Sequence, residues 1–235
     1  MKSTIPKIKI GILVALSFLS FFKKAQAQDW SNLNKYQQAN SELNEPLPHE
    51  KRVVFMGNSI TEGWSVANPG FFSGTAYINR GISGQTTPQM LLRFRQDVIN
   101  LNPKVVLILA GTNDIAGNTG PMTLEQIKDN ILSMVELAEV NGICPVICSV
   151  LPAFDYAWRP GLNPNIKIPK LNGMLKDVAN QKGIIYLDYF TAMADERNGL
   201  PKDLAEDGVH PTKKGYDIME VLATKAIKEV LDKSK

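Results

Sequence analysis

Cysteine and histidine, which most often carry metal and redox chemistry, are scarce in this chain. Its 235 residues include two cysteines and two histidines, and 26 basic side chains are balanced by 23 acidic ones without a run of five like charges. This pattern indicates no basic tail for nucleic acid, and the sequence contains no metal-ligand cluster or nucleotide-binding glycine motif. We therefore expect no nucleic-acid partner, no metal and no cofactor. A hydrophobic fraction of 44% also excludes wholesale disorder.

The two cysteines are not expected to form a disulfide. Cys144 and Cys148 lie four residues apart in GICPVICSV, a segment that is typical of a buried strand. At the rise of a strand their Cα atoms would be about 13 Å apart, whereas a disulfide requires less than about 7 Å. We expect two reduced cysteines in the core.

The first 27 residues are predicted to be an export signal. The apolar stretch from Gly11 to Phe22 has twelve residues, too few for a comfortable membrane span of about 20. Lysines precede it, and Ala25-Gln26-Ala27 offers the small-x-small pattern of a cleavage site. We therefore predict cleavage after Ala27 and an exported protein, periplasmic or extracellular.

Removal of residues 1–27 reverses the sign of the net charge. The segment contains five lysines and no acidic residue, so the remaining 208 residues carry 21 basic and 23 acidic side chains, a charge of −2 instead of +3.

No stable membrane insertion is expected after cleavage. Lys23 and Lys24 are unusual so close to a cleavage site, and a retained N-terminal anchor is the alternative. No feature of the sequence indicates whether the protein is a monomer or an oligomer.

Beyond Trp30, short segments rich in Val and Ile alternate with longer helical segments. Such alternation indicates βαβ units and a parallel sheet covered on both faces, a three-layer α/β/α sandwich. We expect an N-terminal helix and lead-in over 28–50, and a single domain over 51–235. Strands are predicted at 53–56, 76–78, 105–110, 145–150 and 184–187, and helices at 30–44, 88–101, 124–140, 166–181 and 212–231, the third of these helices opening with a Thr123/Gln126 capping box.

Loops with candidate functional residues follow three of the predicted strands. In parallel sheets ligands bind beyond the carboxyl ends of the strands, which is where Ser59 (in GNSIT), Gly84 (in NRGISG) and Asn113 (in GTND) lie. Each has an ordinary structural explanation when taken alone: a helix cap, a flexible turn and an Asn/Asp turn.

An aspartate three residues before a histidine precedes the last helix. Asp207 could accept the Nδ1 proton of His210 and leave Nε2 free as a base. The other histidine, His49, precedes the first strand and is expected at the opposite end of the sheet. His210 is therefore the only plausible imidazole base, although an exposed histidine at a helix start is the simpler interpretation of DGVH alone.

The four motifs GNSIT, NRGISG, GTND and DGVH, in this order, resemble those of the GDSL/SGNH hydrolase superfamily of esterases and lipases. The resemblance extends from Val53 to about Leu222. It implies a flavodoxin-like sheet of five parallel strands in which strand 1 lies between strands 2 and 3.

Carried over position by position, the resemblance implies a serine esterase. Ser59 is expected to be the nucleophile, His210 the general base and Asp207 the group that orients the imidazole. The backbone N–H groups of Ser59 and Gly84 and the side chain of Asn113 would form the oxyanion hole.

One position departs from the family pattern. The usual aspartate before the serine is Asn58 here. Asparagine has nearly the same shape and hydrogen-bonding capacity, so we expect activity to survive. The departure leaves the protein without an assignment to a particular subfamily.

The segment that follows the fourth strand is the candidate for substrate contacts. Leu151–Ile166 is a long connection punctuated by Pro and Gly, and long loops in compact domains are often functional. Trp158 could form an aromatic platform and Arg159 an anion or hydroxyl contact; alternatively, Trp158 only packs the loop. The aromatic residues Trp64 and Phe71-Phe72 could line an acyl pocket, but a place in the core is favoured.

The expected function is removal of short acyl groups, in particular acetyl, from carbohydrate esters, through a Ser-His-Asp triad and an acyl-enzyme. The substrate partner would be a small-molecule or glycan ester. The alternatives are a lipid esterase or lysophospholipase of the same superfamily, and a catalytically silent carbohydrate-binding protein.

Overall fold

A sheet of five parallel strands lies at the centre of the protein, in a computed structural model that describes residues 28–233. The strands are β1 (Val53–Gly57), β2 (Tyr77–Gly81), β3 (Val105–Leu109), β4 (Cys144–Cys148) and β5 (Ile185–Leu187). Their order is β2-β1-β3-β4-β5, and every neighbouring pair is parallel. Strand 1 therefore lies between strands 2 and 3, which confirms the predicted flavodoxin-like order.

Helices cover both faces of the sheet and connect its strands. They are α1 (Gln37–Ser41), α2 (Ser59–Ala67), α3 (Pro69–Phe72), α4 (Thr87–Asp97), α5 (Thr112–Ile115), α6 (Leu124–Val140), α7 (Pro164–Lys182), α8 (Tyr189–Met193) and α9 (Lys213–Lys233).

The alternation of side chains along each strand divides the core in two. On β1, Val54 and Met56 face the core that α4, α6 and α7 cover, whereas Val53 and Phe55 face the core beneath α2, α8 and α9. Successive strand residues point to opposite faces, and all five residues of β1 are buried. The three-layer α/β/α prediction is confirmed.

Several local predictions are also confirmed. Thr123 and Gln126 form the capping box at the start of α6, in which each side chain binds the other residue's backbone. The cysteines lie at the two ends of β4 and are not joined by a disulfide, and Cys148 is buried.

The helix predicted over 30–44 is wrong in extent, because only Gln37–Ser41 is helical. Asn32 has a left-handed backbone with φ +55°, which interrupts a helix, and asparagine side chains compete with helical hydrogen bonds. The polar groups of this segment instead bind the rest of the domain: Asn40 Nδ2 donates to Asp97 Oδ1 at 2.7 Å. Long-range contacts decide its conformation.

The predicted signal lies outside the described residues. By internal contacts the chain divides between Trp30 and Ser31. Within residues 28–233, none of the helices combines the length and apolar character needed to cross a membrane.

Candidate active site

Ser59 lies where β1 turns into α2. The helix is capped by Asn58, whose Oδ1 accepts a hydrogen bond from the Ile60 amide at 3.0 Å. The cap is therefore Asn58 rather than Ser59, and the hydroxyl of Ser59 can serve another partner. Asn58 is 1% exposed. Because the cap needs only an oxygen acceptor, asparagine fills this place as an aspartate would.

The hydroxyl of Ser59 meets the imidazole of His210. Ser59 Oγ lies 2.9 Å from His210 Nε2, and His210 Nδ1 lies 2.6 Å from Asp207 Oδ2. A carboxylate only accepts hydrogen bonds, so Nδ1 carries the proton and Nε2 accepts the serine O–H. The three side chains thus form one continuous hydrogen-bond chain that can remove a proton from Ser59.

The second oxygen of Asp207 holds the loop itself. Asp207 Oδ1 accepts hydrogen bonds from the amides of Val209 and His210 at 2.9 and 2.7 Å. Partial burial raises the pKa of Asp207, but these bonds and that of the imidazole outweigh it, and the pKa is lower than the ordinary value. The carboxylate is therefore charged at neutral pH and fixes the orientation of the imidazole.

Two further loops reach the same edge of the sheet. Gly84, after β2, has a φ of +76°, which favours glycine. Asn113, at the start of α5, is 5% exposed, and its Nδ2 donates to the Gln85 carbonyl at 2.9 Å. Asn118 Nδ2 donates to the Gly84 carbonyl at 3.0 Å. The loops that carry two of the three predicted oxyanion groups, Gly84 and Asn113, are thus bonded directly to each other.

The start of α2 packs against the end of β2 without space for a side chain. A Cβ atom on Gly81 would lie 2.1 Å from the Glu62 amide nitrogen. Glu62 Oε2 accepts the Ser83 amide at 2.7 Å, and Glu62 Oε1 pairs with Lys35 at 2.8 Å. The loop that carries Gly84 is therefore attached to the helix that carries Ser59.

Arg93, which the sequence analysis did not single out, lies beneath this edge of the sheet and is 0% exposed. Its guanidinium donates to the Gly57 and Arg80 carbonyls at 3.0 and 2.9 Å, to Gln85 Oε1 at 2.5 Å and to Asp97 Oδ2 at 3.0 Å. An arginine four residues before an aspartate, on the apolar face of a helix, was the available sequence signal. Nothing local marked Gln85.

The predicted substrate residues lie on the connection before α7. The Trp158 ring centroid is 6.4 Å from that of His210, and the side chain is 49% exposed. Trp158 stacks on the buried Tyr156, whose hydroxyl donates to the Thr112 carbonyl at 3.1 Å. The tryptophan is thus held beside the imidazole with much of its surface open to solvent.

Arg159 is attached to a neighbouring loop. Its Nη1 donates to the carbonyls of Ala116 and Gly117, each at 2.6 Å. The connection is thereby tied to the segment that follows Asn113, and a substrate contact by Arg159 stays a prediction.

The aromatic residues that follow Ser59 belong to the core. Trp64 is 1% exposed, and its ring stacks on those of Phe71 and Tyr216 with centroids 5.1 and 5.6 Å apart. Phe72 packs against the same cluster. Tyr216 also donates to the Ile60 carbonyl at 2.8 Å, so this cluster supports the helix of Ser59.

The sequence model of the GDSL-like Lipase/Acylhydrolase family matches residues 55–218, a range that contains all four motif loops. The chain belongs to this family. Membership places the protein among the carboxylic ester hydrolases.

Two solved structures share this family fold closely. A Bacteroides fragilis protein proposed to be an acylhydrolase is 48% identical, with a TM-score of 0.85, over 87% of this chain and 99% of its own. A GDSL-like lipase of Bacteroides thetaiotaomicron is 47% identical, with a TM-score of 0.83, over 85% and 98% of the two chains.

A curated relative is larger than this protein. An acetylxylan esterase of Xylanibacter ruminicola is 27% identical over 78% of this chain, and the alignment covers 45% of that esterase. The chain therefore spans less than half the length of this relative.

Proposed function

We propose that this protein is an exported serine esterase that removes short acyl groups, in particular acetyl, from carbohydrate esters. The observation that carries the proposal is the hydrogen-bond chain from Ser59 through His210 to Asp207, at the edge of the sheet where the loops of Gly84 and Asn113 meet.

The proposed reaction has two steps. Ser59 Oγ attacks the ester carbonyl carbon while His210 Nε2 takes its proton, and the carbonyl oxygen becomes an oxyanion. The Ser59 and Gly84 amides and an N–H of Asn113 bind that oxyanion; Asn113 Nδ2 carries two N–H groups and its bond to Gln85 uses one. The C–O bond to the alcohol breaks, and the alcohol leaves with the proton from His210. Water, deprotonated by His210, then attacks the acyl carbon. The bond from that carbon to Ser59 Oγ breaks, Oγ takes the proton back from His210, and the acyl group leaves as a carboxylic acid.

The carbohydrate part of the proposal has two supports. The acetylxylan esterase relative acts on an acetylated polysaccharide. Trp158 presents an exposed aromatic surface beside His210, which could stack against a sugar ring. Arg159 has guanidinium N–H groups beyond those of Nη1 for a hydroxyl or anion contact.

The first experiment compares p-nitrophenyl acetate with the octanoate, using the wild-type protein and Ser59→Ala. We expect hydrolysis of the acetate to be faster and to disappear with Ser59→Ala, while the circular dichroism spectrum is unchanged. A preference for octanoate would favour the lipid-esterase alternative. Absence of Ser59-dependent hydrolysis would favour the carbohydrate-binding alternative.

The second experiment measures acetate release from acetylated xylan by the wild type, by Trp158→Ala and by Phe154→Ala. Phe154 is similarly exposed on the same connection but stacks under Arg197. We expect Trp158→Ala to raise KM for xylan without changing kcat for p-nitrophenyl acetate, and Phe154→Ala to change neither. Equal effects of the two substitutions would contradict the platform role.

Export is tested separately by N-terminal sequencing of protein recovered outside the cytoplasm. We expect a mature chain that begins at Gln28. Full-length protein in the membrane fraction would instead support the retained anchor.

A further inference from the structure

We propose that Gln85 is a positioning residue. It holds two donors of the oxyanion hole, the Asn113 side chain and the Gly84 amide, in one geometry. This inference rests on the proposed function, because it concerns the same site. Gln85 follows Gly84 directly, and it is 3% exposed. It does not belong to the hydrogen-bond chain of Ser59, His210 and Asp207.

The backbone of Gln85 connects the two predicted oxyanion donors. Its carbonyl accepts the hydrogen bond from Asn113 Nδ2 at 2.9 Å, which orients the carboxamide of Asn113. Gly84 directly precedes Gln85, so one planar peptide bond joins Gly84 to the residue whose carbonyl accepts this hydrogen bond. A displacement of Gln85 would therefore move the Gly84 amide and rotate the Asn113 side chain together.

The side chain of Gln85 fixes this backbone from two sides. Gln85 Oε1 accepts from Arg93 Nε at 2.5 Å, and Gln85 Nε2 donates to the Ser31 carbonyl at 2.7 Å. An arginine only donates and a carbonyl only accepts, so the amide has one orientation that satisfies both partners. The partners are themselves buried, with Arg93 at 0% and Ser31 at 5% exposure.

Arg93 connects Gln85 through hydrogen bonds to the strand end that precedes Ser59. The same guanidinium donates to the carbonyl of Gly57, two residues before Ser59, at 3.0 Å. Its charge is held in place by Asp97 at 3.0 Å. Gln85 is thus the point at which the loop of Gly84, the loop of Asn113 and the strand end before Ser59 are joined through hydrogen bonds.

The expected kinetic signature follows from what the oxyanion hole does. Its donors bind charge that develops only in the transition state, so a loss of their geometry lowers kcat and leaves KM almost unchanged. A misplacement on the order of 1 Å can cost about 100-fold in rate. A residue that only stabilises the fold would instead reduce the amount of folded enzyme without changing kcat per active site.

The test uses three variants of the full chain. Gln85→Met keeps the length of the side chain and removes both hydrogen bonds. Gln85→Glu keeps the acceptor for Arg93 and removes the donor to Ser31. Gln126→Met makes the same chemical change at an exposed glutamine whose side chain caps α6.

Each variant is measured with p-nitrophenyl acetate and with phenylboronic acid, which adds to a serine Oγ as a tetrahedral anion. We expect Gln85→Met to lower kcat per folded molecule by about 10- to 100-fold with KM within about threefold, and to weaken boronate inhibition in parallel. Gln85→Glu should lose less activity because the Arg93 contact remains, and Gln126→Met should match the wild type.

The proposal is overturned if Gln85→Met retains wild-type kcat per folded molecule, or if kcat falls while boronate affinity is unchanged. Should Gln85→Met not fold, Gln85→Glu decides in the same way: wild-type kcat and boronate affinity would contradict the role of the Ser31 bond. Ser59→Ala separates this outcome from the proposed function. Hydrolysis that persists in Ser59→Ala would overturn both, whereas loss there with normal Gln85 variants would overturn the positioning role alone.

Discussion

The loop that brings His210 to Ser59 and the loops that bring Gly84 and Asn113 are surrounded by very different amounts of protein. The side chains of His210 and Asp207 are 43% and 48% exposed. On the other side of the serine, Asn113 is 5% exposed, and the Gln85 and Arg93 that support it are 3% and 0% exposed. The site has one exposed half and one buried half.

The two halves maintain their geometry through different kinds of contact. The exposed half relies on local contacts. The single carboxylate of Asp207 accepts hydrogen bonds from the imidazole of His210 and from the amides of Val209 and His210, all within three residues. The buried half relies on long-range contacts and on a buried charge. Substitutions in the exposed half should therefore reduce activity with little effect on stability, whereas those in the buried half should reduce both.

The largest effect is expected from Asp207→Asn. Asparagine keeps the Oδ1 acceptor for the loop amides but presents an N–H₂ group to His210, which favours the wrong tautomer. We expect kcat on p-nitrophenyl acetate to fall by about 10⁴-fold with no change in the thermal unfolding midpoint. Glu206→Gln, the same chemical change one residue earlier, is the control. A large fall in the unfolding midpoint would show that the exposed half is not structurally independent.

Arg93→Leu should cause the largest loss of stability. Removing the guanidinium leaves Asp97 buried without its ion pair, and breaking a buried pair in this way costs about 3–5 kcal/mol. Urea unfolding measures the loss. Arg95→Leu, on the exposed face of the same helix, should change the unfolding free energy by less than about 0.5 kcal/mol. Equal effects of the two substitutions would remove the basis for a buried half.

Asn113→Ala should affect both activity and stability. Loss of one oxyanion donor slows turnover by about 10²–10³-fold, and the buried Gln85 carbonyl that loses its partner costs about 1–3 kcal/mol. Steady-state kinetics and urea unfolding give the two numbers. Asn141→Ala, at the exposed end of α6, is the control. Full kcat with p-nitrophenyl acetate would contradict the assignment of Asn113.

The smallest effect concerns Asp114, next to Asn113. Burial raises the pKa of the Asp114 carboxyl, against the hydrogen bonds from Thr87. Because the unfolded chain then releases its proton first, stability should fall as the pH rises from the ordinary carboxyl pKa to the raised folded value, and be constant above it. Asp114→Asn should remove this dependence, measured by urea unfolding from about pH 3 to about pH 8. Parallel pH profiles for the two proteins would refute the assignment.

Much of the fold could be predicted because its signals are local. The Val- and Ile-rich strands, the capping box at Thr123 and the order of the four motifs each lie within a short segment. The helix expected over 30–44 could not be limited correctly, since its polar side chains bind partners far along the chain, as Asn40 does with Asp97 57 residues away.

The candidate site divides along the same line. Ser59, Asp207, His210, Gly84 and Asn113 were identifiable from motifs, whereas the support given by Gln85 and Arg93 was not. The place of Trp158 beside His210 also required the structure, because two rings 52 residues apart in sequence share no local pattern.

Local segments of the chain are enough to establish the alternation of strands and helices, the loops in which the candidate catalytic side chains lie and the cap that begins α6. Each of these follows from spacing and from backbone chemistry within a few residues. The partners that those side chains meet follow from the packing of distant segments: Ser59 and His210 are 151 residues apart, and Gln85 binds groups 8, 28 and 54 residues away. Such pairings depend on the packing of the whole sheet and its helices, which no single segment encodes.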